Sequence, residues 1–259
     1  MRTSQQGKSA VLGQRCNDCW FDGSPQDVAQ RLLGCLLVRK ISGRRCSGII
    51  VEVEAYLASD DPASHSARGP TPGNRTMFLS AGYLYVYPIH TRACLNVVTQ
   101  SKGIGSAVLI RAIEPFEGVS QMARFRQIRE EFKGKSDSIG MLRKLTSGPG
   151  RLCEALKVDR RMDGVDLLSS QSVWIEQPPT IVKGIDWPVS ISRRIGITQA
   201  LDLPLRWFID GHQLVSGKAS EHSKGRTWRF GLPQPHANFA SGKMASTYGT
   251  YGGAEFTGC

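Results

Sequence analysis

Glu52, Glu54 and Tyr56 occupy every second position of the run Gly48–Leu57. An extended strand sends alternate side chains to opposite faces. Two carboxylates and a phenol therefore line one side with Ile50, and Ile49, Val51, Val53 and Ala55 line the other. Carboxylates beside an aromatic ring can take a proton from a bound substrate; a solvated sheet face is the plainer reading. Ala58–Arg75 follows at once, rich in Pro, Gly and Ser, and carries His65. Loops of that length on a rigid scaffold are where functional groups concentrate. Arg111 stands inside the apolar run Val108–Ile113. An arginine there needs an anionic partner, and Glu52 or Glu54 can supply it, as a structural ion pair or within a site. Tyr83, Tyr85 and Tyr87 alternate along a second extended run, as core packing or as a stacking platform for a base.

Other chemistries lack their residues. The chain has no GxSxG, HExxH, Walker loop or kinase set. Gly103-Ile104-Gly105 precedes a strand, so it reads as a hairpin turn rather than a phosphate loop. Cys16-Asn17-Asp18-Cys19 has zinc-knuckle spacing, but a structural zinc needs four ligands and no second pair exists. No metal and no organic cofactor is expected, and the seven cysteines read as reduced thiols.

These side chains need elements to hold them. Ser24-Pro25-Gln26-Asp27 opens a helix with an N-cap, a proline at the first helical position and a capping carboxylate. Cys35–Arg39, Gly48–Leu57, Tyr83–Tyr87, Cys94–Thr99, Ala107–Ile113, Val173–Glu176, Ile195–Ile197 and Leu205–Ile209 read as strands. Pro88 marks a strand end or bulge. Val119–Phe132 and Arg151–Leu156 read as helices, with a turn at Ser147–Gly150. Strands and helices do not alternate regularly, so the class is α+β rather than a doubly wound sheet.

The chain has 259 residues, enough for one large domain with its own core. A loose arm is expected over residues 1–23, a folded domain over 24–216, and a Gly/Ser/Lys-rich tail over 217–259. No signal peptide or membrane span is visible, so the expectation is an intracellular monomer. The net charge of +11 points to nucleic acid, an anionic membrane surface or acidic substrates. Eleven Lys and Arg against five Asp and Glu fall within Gln121–Arg161, scattered as on a folded basic face.

Taken in order, Ile50–Tyr56, the His65 loop, Asn74–Phe78, Gly82–Tyr87, Cys94–Val97, Val108–Pro115, Ser147–Cys153, Arg194–Ile197 and Pro204–Phe208 resemble the alkyladenine (3-methyladenine) DNA glycosylases. The resemblance covers Ser24–Ser216. It implies a curved antiparallel sheet with surrounding helices and a protruding β-hairpin that enters the minor groove. It also implies base-excision repair: a damaged purine is flipped out of double-stranded DNA and its N-glycosidic bond is hydrolysed.

By the same resemblance Glu54 is the general base for the attacking water, and Arg111 and the backbone carbonyl of Ile195 help to hold that water. Tyr56 stacks on one face of the flipped base, and His65 and Tyr87 cover the other. Asn96 sits beside the purine and disfavours the exocyclic amine of normal guanine. With water as nucleophile the enzyme is monofunctional and leaves an abasic site. Many members carry Tyr-Gly where His90-Thr91 stands, and that tyrosine wedges into the duplex. Here His90 takes the position, and Ile89 can share the task. A noncatalytic module that binds damaged bases and a base-modifying RNA enzyme are the rival readings.

Overall fold

The computed structural model describes residues 13–128, 135–179, 187–218, 222 and 227–229. Helix α1 (Pro25–Leu32) begins as its sequence requires, with the Ser24 hydroxyl accepting from the Asp27 amide. Strands β1 (Leu36–Ile41) and β2 (Arg44–Tyr56) follow, then β3 (Leu84–Ile89), β4 (Arg92–Thr99) and β5 (Ser106–Glu117). Helices α2 (Val119–Phe125), α3 (Lys135–Thr146) and α4 (Pro149–Ala155) come next, then β6 (Val173–Glu176), β7 (Pro188–Ser192), β8 (Arg206–Ile209) and β9 (Thr227–Arg229). Among the described residues the strands form one 9-stranded sheet, ordered β3-β4-β5-β2-β8-β7-β9, with β1 pairing β2 and β6. All pairings are antiparallel. The sheet curls, the helices pack on it, and the fold is a single-domain α+β architecture as expected.

β2 organises this sheet. One edge pairs with β5 along most of its length; the other is shared, β1 taking Arg44–Ile49 and β8 taking Glu52–Glu54. Where β1 hands over to β8, the β2–β5 ladder slips twice: Ile50 faces Ile113, Glu52 faces Ala112 and Val53 faces Ile110. Val51 and Arg111 are thus one extra residue on each strand. Two opposed bulges bend the sheet here and restore its register afterwards. They also change the alternation. Ile50, Val53 and Ala55 all enter the main core, and Ile49 and Val51 enter a second cluster. Ile50 therefore does not share a face with Glu52, contrary to strict alternation. The polar side of β2 is not solvated, since Glu52 and Glu54 are both 0% exposed.

Several local expectations change. Residues 13–23, read as part of a loose arm, are packed: Cys16 and Phe21 are buried in the core, and the Cys16 amide donates to Ile175 O. Residues 1–12 lie outside the described residues. β9 falls within the expected tail, whose remainder lies almost wholly outside them. Ile195–Ile197 is not a strand but part of the segment joining β7 to β8. The helix read over Val119–Phe132 ends at Phe125, and residues 129–134 lie outside the described set. α3 has no counterpart among the sequence expectations. Pro88 ends nothing: it pairs with Ala93 inside β3, an edge strand that can spare an amide.

β3 and β4 form a hairpin closed by a two-residue turn, with Ile89 opposite Arg92. Its tip, Ile89 to Arg92, is exposed, and Ile89 is the most exposed apolar residue of the hairpin at 45%. His90 sits in the turn at φ +53, in the left-handed region that glycine enters most readily.

Candidate active site

The site is assembled on the bulged centre of β2 and β5. Glu54 accepts hydrogen bonds from the Ile195 amide at 2.7 Å and the Tyr56 hydroxyl at 2.9 Å, and it forms an ion pair with Arg111, whose Nη1 lies 3.1 Å from Oε1. The bulge in β5 presents Arg111 between two acids, so its Nε also meets Glu52 Oε1 at 3.0 Å. Arg111 Nη1 donates in addition to the Ile195 carbonyl at 3.4 Å. The three residues assigned to catalysis, Glu54, Arg111 and Ile195, thus meet at one point. Burial works against the Arg111 charge, but Glu54 and Glu52 outweigh it and hold the guanidinium protonated. Burial followed by the Glu54 charge pushes the Tyr56 phenol well above its ordinary range, so it is a donor and not a phenolate.

Arg194 builds one wall. It donates two hydrogen bonds to Asp61, one of them at 2.8 Å, and a third to Ala55 O at 3.1 Å. Its guanidinium lies 4.7 Å from the centroid of the Tyr56 ring, so one face of that ring is occupied by a cation. Asp61 also accepts the Leu57 and Ala63 amides, which fixes the start of the His65 loop. The sequence reading gave no role to Asp61, nor to Arg194 within the segment Arg194–Ile197; an arginine next to Ile195 and an aspartate four residues before His65 carry no distinguishing spacing.

The opposite wall comes from the loop and β3. His65 Nδ1 lies 2.8 Å from the Tyr85 hydroxyl, and its ring is 4.5 Å from that of Tyr87, edge to face. The residue as a whole is exposed, yet its ring packs against the tyrosines, and that burial lowers its pKa and favours neutral imidazole. Burial raises the Tyr85 phenol to about 12. Asn74 is buried and holds the loop by donating to the carbonyls of His65 (2.7 Å) and Gly69 (3.1 Å). An open groove of about 520 Å³ runs along this wall, lined by His65, Arg68, Asn74, Tyr85, Tyr87 and Pro88 among others.

Glu54, Tyr56 and Asn96 do not line that groove. Asn96 is 3% exposed, and its amide nitrogen donates to Tyr85 O across the β3–β4 ladder at 3.1 Å. Tyr87 spans the two regions: it lines the groove, and the charge of Glu54 is close enough to raise its phenol further after burial and Cys94. The structure thus brings Glu54, Arg111, Ile195 and Tyr56 together, and His65 with Tyr87. His90 and Ile89 stand apart at the hairpin tip. Arg206, within the segment Pro204–Phe208, is a further residue to which the sequence reading gave no role. It lies in the apolar run Leu205–Ile209 and carries the same signal as Arg111. Among the described residues no group of three or more His, Cys, Asp or Glu could hold a metal ion, and no helix is long and apolar enough to cross a membrane.

The family model for methylpurine-DNA glycosylase matches residues 19–213. A Rhodopirellula baltica protein, provisionally named a 3-methyladenine DNA glycosylase, is 46% identical over 80% of this chain and 85% of its own length. The DNA-3-methyladenine glycosylases of Mus musculus and Homo sapiens are 41% and 39% identical over 76% of this chain, and over 60% and 66% of their own lengths. With 195 consecutive positions matched by the model and the site lying wholly inside them, this chain belongs to the methylpurine-DNA glycosylase family.

Proposed function

We propose that this DNA glycosylase is monofunctional and removes damaged purines of the 3-methyladenine, 7-methylguanine, hypoxanthine and ethenoadenine class from double-stranded DNA, with a water activated by Glu54. The observation that carries the reading is the setting of Glu54: a buried carboxylate gripped by Arg111, the Ile195 amide and the Tyr56 hydroxyl. The Ile195 amide and the Arg111 ion pair lie on Oε1, and Oε2 accepts one hydrogen bond, so an oxygen with about two acceptor positions keeps one for a water. Arg111 Nη1 meets the Ile195 carbonyl on the Oε1 side of the same carboxylate. Loss of the base builds positive charge on the deoxyribose, and an anion held under the sugar stabilises that charge while taking the water's proton.

The side chain of Glu54 is 0% exposed, so the site is closed as described. Entry of the flipped nucleotide parts Tyr56 from the His65–Tyr87 wall and uncovers the carboxylate. The base then stacks on the face of Tyr56 that Arg194 leaves open, with His65 and Tyr87 on its other side and Asn96 at its edge. Stacking worth about 1–3 kcal/mol per base offsets an unstacking cost of a few kcal/mol, which is smallest for damaged bases. His90 and Ile89, exposed at the hairpin tip, fill the gap left in the duplex.

Duplex oligonucleotides bearing hypoxanthine, ethenoadenine or 7-methylguanine test this, with alkali cleavage to reveal abasic sites. Glu54→Gln keeps lesion binding and loses roughly 10²–10⁴-fold in single-turnover excision, the range for a positioned general base. Equal excision by wild type and variant rejects Glu54 as the base, and a borohydride-trapped covalent complex rejects water as the nucleophile.

A further inference from the structure

Ion pairing continues from Glu54 and Arg111 to Glu52 and Arg206. Glu52 and Arg206 are both 0% exposed, and neither lines the groove. Arg206 Nε donates to Glu52 Oε1 at 2.7 Å, and Arg111 Nε donates to the same oxygen at 3.0 Å. The Ser216 amide donates to Glu52 Oε2 at 2.7 Å, and Arg111 Nη2 reaches Ser216 Oγ at 3.2 Å. Four charges therefore alternate in sign through the core: Arg206, Glu52, Arg111, Glu54. Arg111 is divided between two acids, with Nε on one and Nη1 on the other.

Such a row is a weak source of stability, because apolar residues of similar volume often serve a core as well or better. Its consequence lies at Glu54, where a cation weakens a carboxylate's hold on a proton and an anion strengthens it. We infer that Glu52 and Arg206 are positioning residues for the reaction: they fix how much of the Arg111 charge is turned toward Glu54, and so set the proton affinity of the general base. This inference rests on the reading of Glu54 given above.

The other groups facing Glu54 stay constant when positions 52 and 206 are changed. From its own strand comes the Tyr56 hydroxyl, and from the segment after β7 the Ile195 amide, with Arg194 behind the Tyr56 ring. Tyr87 on β3 and Cys94 on β4 are neutral, each raised first by burial. Burial also acts to raise Glu52, but Arg111, Arg206 and the Ser216 amide outweigh it and keep its pKa low, so Glu52 is an anion wherever the enzyme works.

The test is the pH profile of single-turnover excision of hypoxanthine, a neutral lesion, by the full chain. In Glu52→Gln the repelling anion is gone and Arg111 turns wholly to Glu54, so the acid limb moves to lower pH by about one unit. In Arg206→Met the released Glu52 draws Arg111 away, and the acid limb moves to higher pH. The double variant removes one charge of each sign and returns the limb toward wild type; with Arg206→Met it carries the test if Glu52→Gln does not fold. A purely structural role lowers the melting temperature and leaves the limb in place. An unmoved limb, or shifts of the same sign in both single variants, overturns the inference. Excision by Glu54→Gln at the wild-type rate instead removes the reading beneath it. An inactive Glu54→Gln together with a limb indifferent to positions 52 and 206 removes only the present step.

Discussion

In the proposed mechanism Tyr56 carries two separable roles on one side chain. Its hydroxyl closes Glu54 Oε2, and its ring has a cation on one face and offers the other for stacking. The two parts predict different phenotypes. Tyr56→Phe keeps the ring and releases the carboxylate, so single-turnover excision stays within about tenfold of wild type. Tyr56→Ala removes the ring and costs roughly 1–3 kcal/mol of base stacking, about five- to 150-fold in binding of lesion DNA. If Phe proves as damaging as Ala, the hydroxyl rather than the ring is the working part, and the stacking role falls. Much of this site was legible residue by residue. The spacing Glu52-Glu54-Tyr56 and an arginine inside an apolar run mark a buried charged centre without any partner in view. Asp61 and Arg194 were not legible, because each is an ordinary polar residue in an irregular segment and their meeting spans 133 positions of chain.

At the scale of elements, two irregular segments form the walls of the site, and Asp61–Arg194 is the bolt between them. Asp61 belongs to the loop that carries His65; Arg194 precedes Ile195, whose amide and carbonyl address Glu54 and Arg111. Both side chains of the pair are fully buried. Asp61→Ala strips Arg194 of its counter-charge in the interior, and breaking such a pair costs about 3–5 kcal/mol. The denaturant midpoint should fall accordingly, and excision should fall further than folded protein alone explains, because Ile195 and His65 lose their common anchor. A variant with a wild-type midpoint would show that the walls are held by something else.

The sequence spoke less clearly about these elements than about single residues. Strict alternation cannot foresee opposed bulges at Val51 and Arg111, because a bulge leaves no residue-type signature there. α3 escaped because Lys135–Thr146 has a weak apolar stripe and Gly140 in its middle. Ile195–Ile197 looked like a strand from its two isoleucines, while Gly196 at φ +77 turns the chain instead.

For the whole molecule, the charge balance separates the grip on DNA from the choice of lesion. The buried charges nearly cancel, with Glu52, Glu54, Asp61 and Glu176 against Arg111, Arg194 and Arg206 among the described residues. Among the described residues the positive excess is therefore carried outside the core, where charge is screened by salt. Each phosphate neutralised adds about −0.9 to the slope of log affinity against log salt. The base slot is built differently. In the proposed reading Tyr56, neutral His65 and Tyr87 hold the base by stacking and edge contacts that release no counterions, so their contribution is insensitive to ionic strength. Undamaged and hypoxanthine-containing duplexes should then show steep and parallel salt slopes in equilibrium binding by Glu54→Gln, with an affinity ratio that stays constant as salt rises. A ratio that collapses at high salt would mean that the lesion is selected by charge at the surface. Discrimination would then have to be sought among the exposed arginines and not between the aromatic walls.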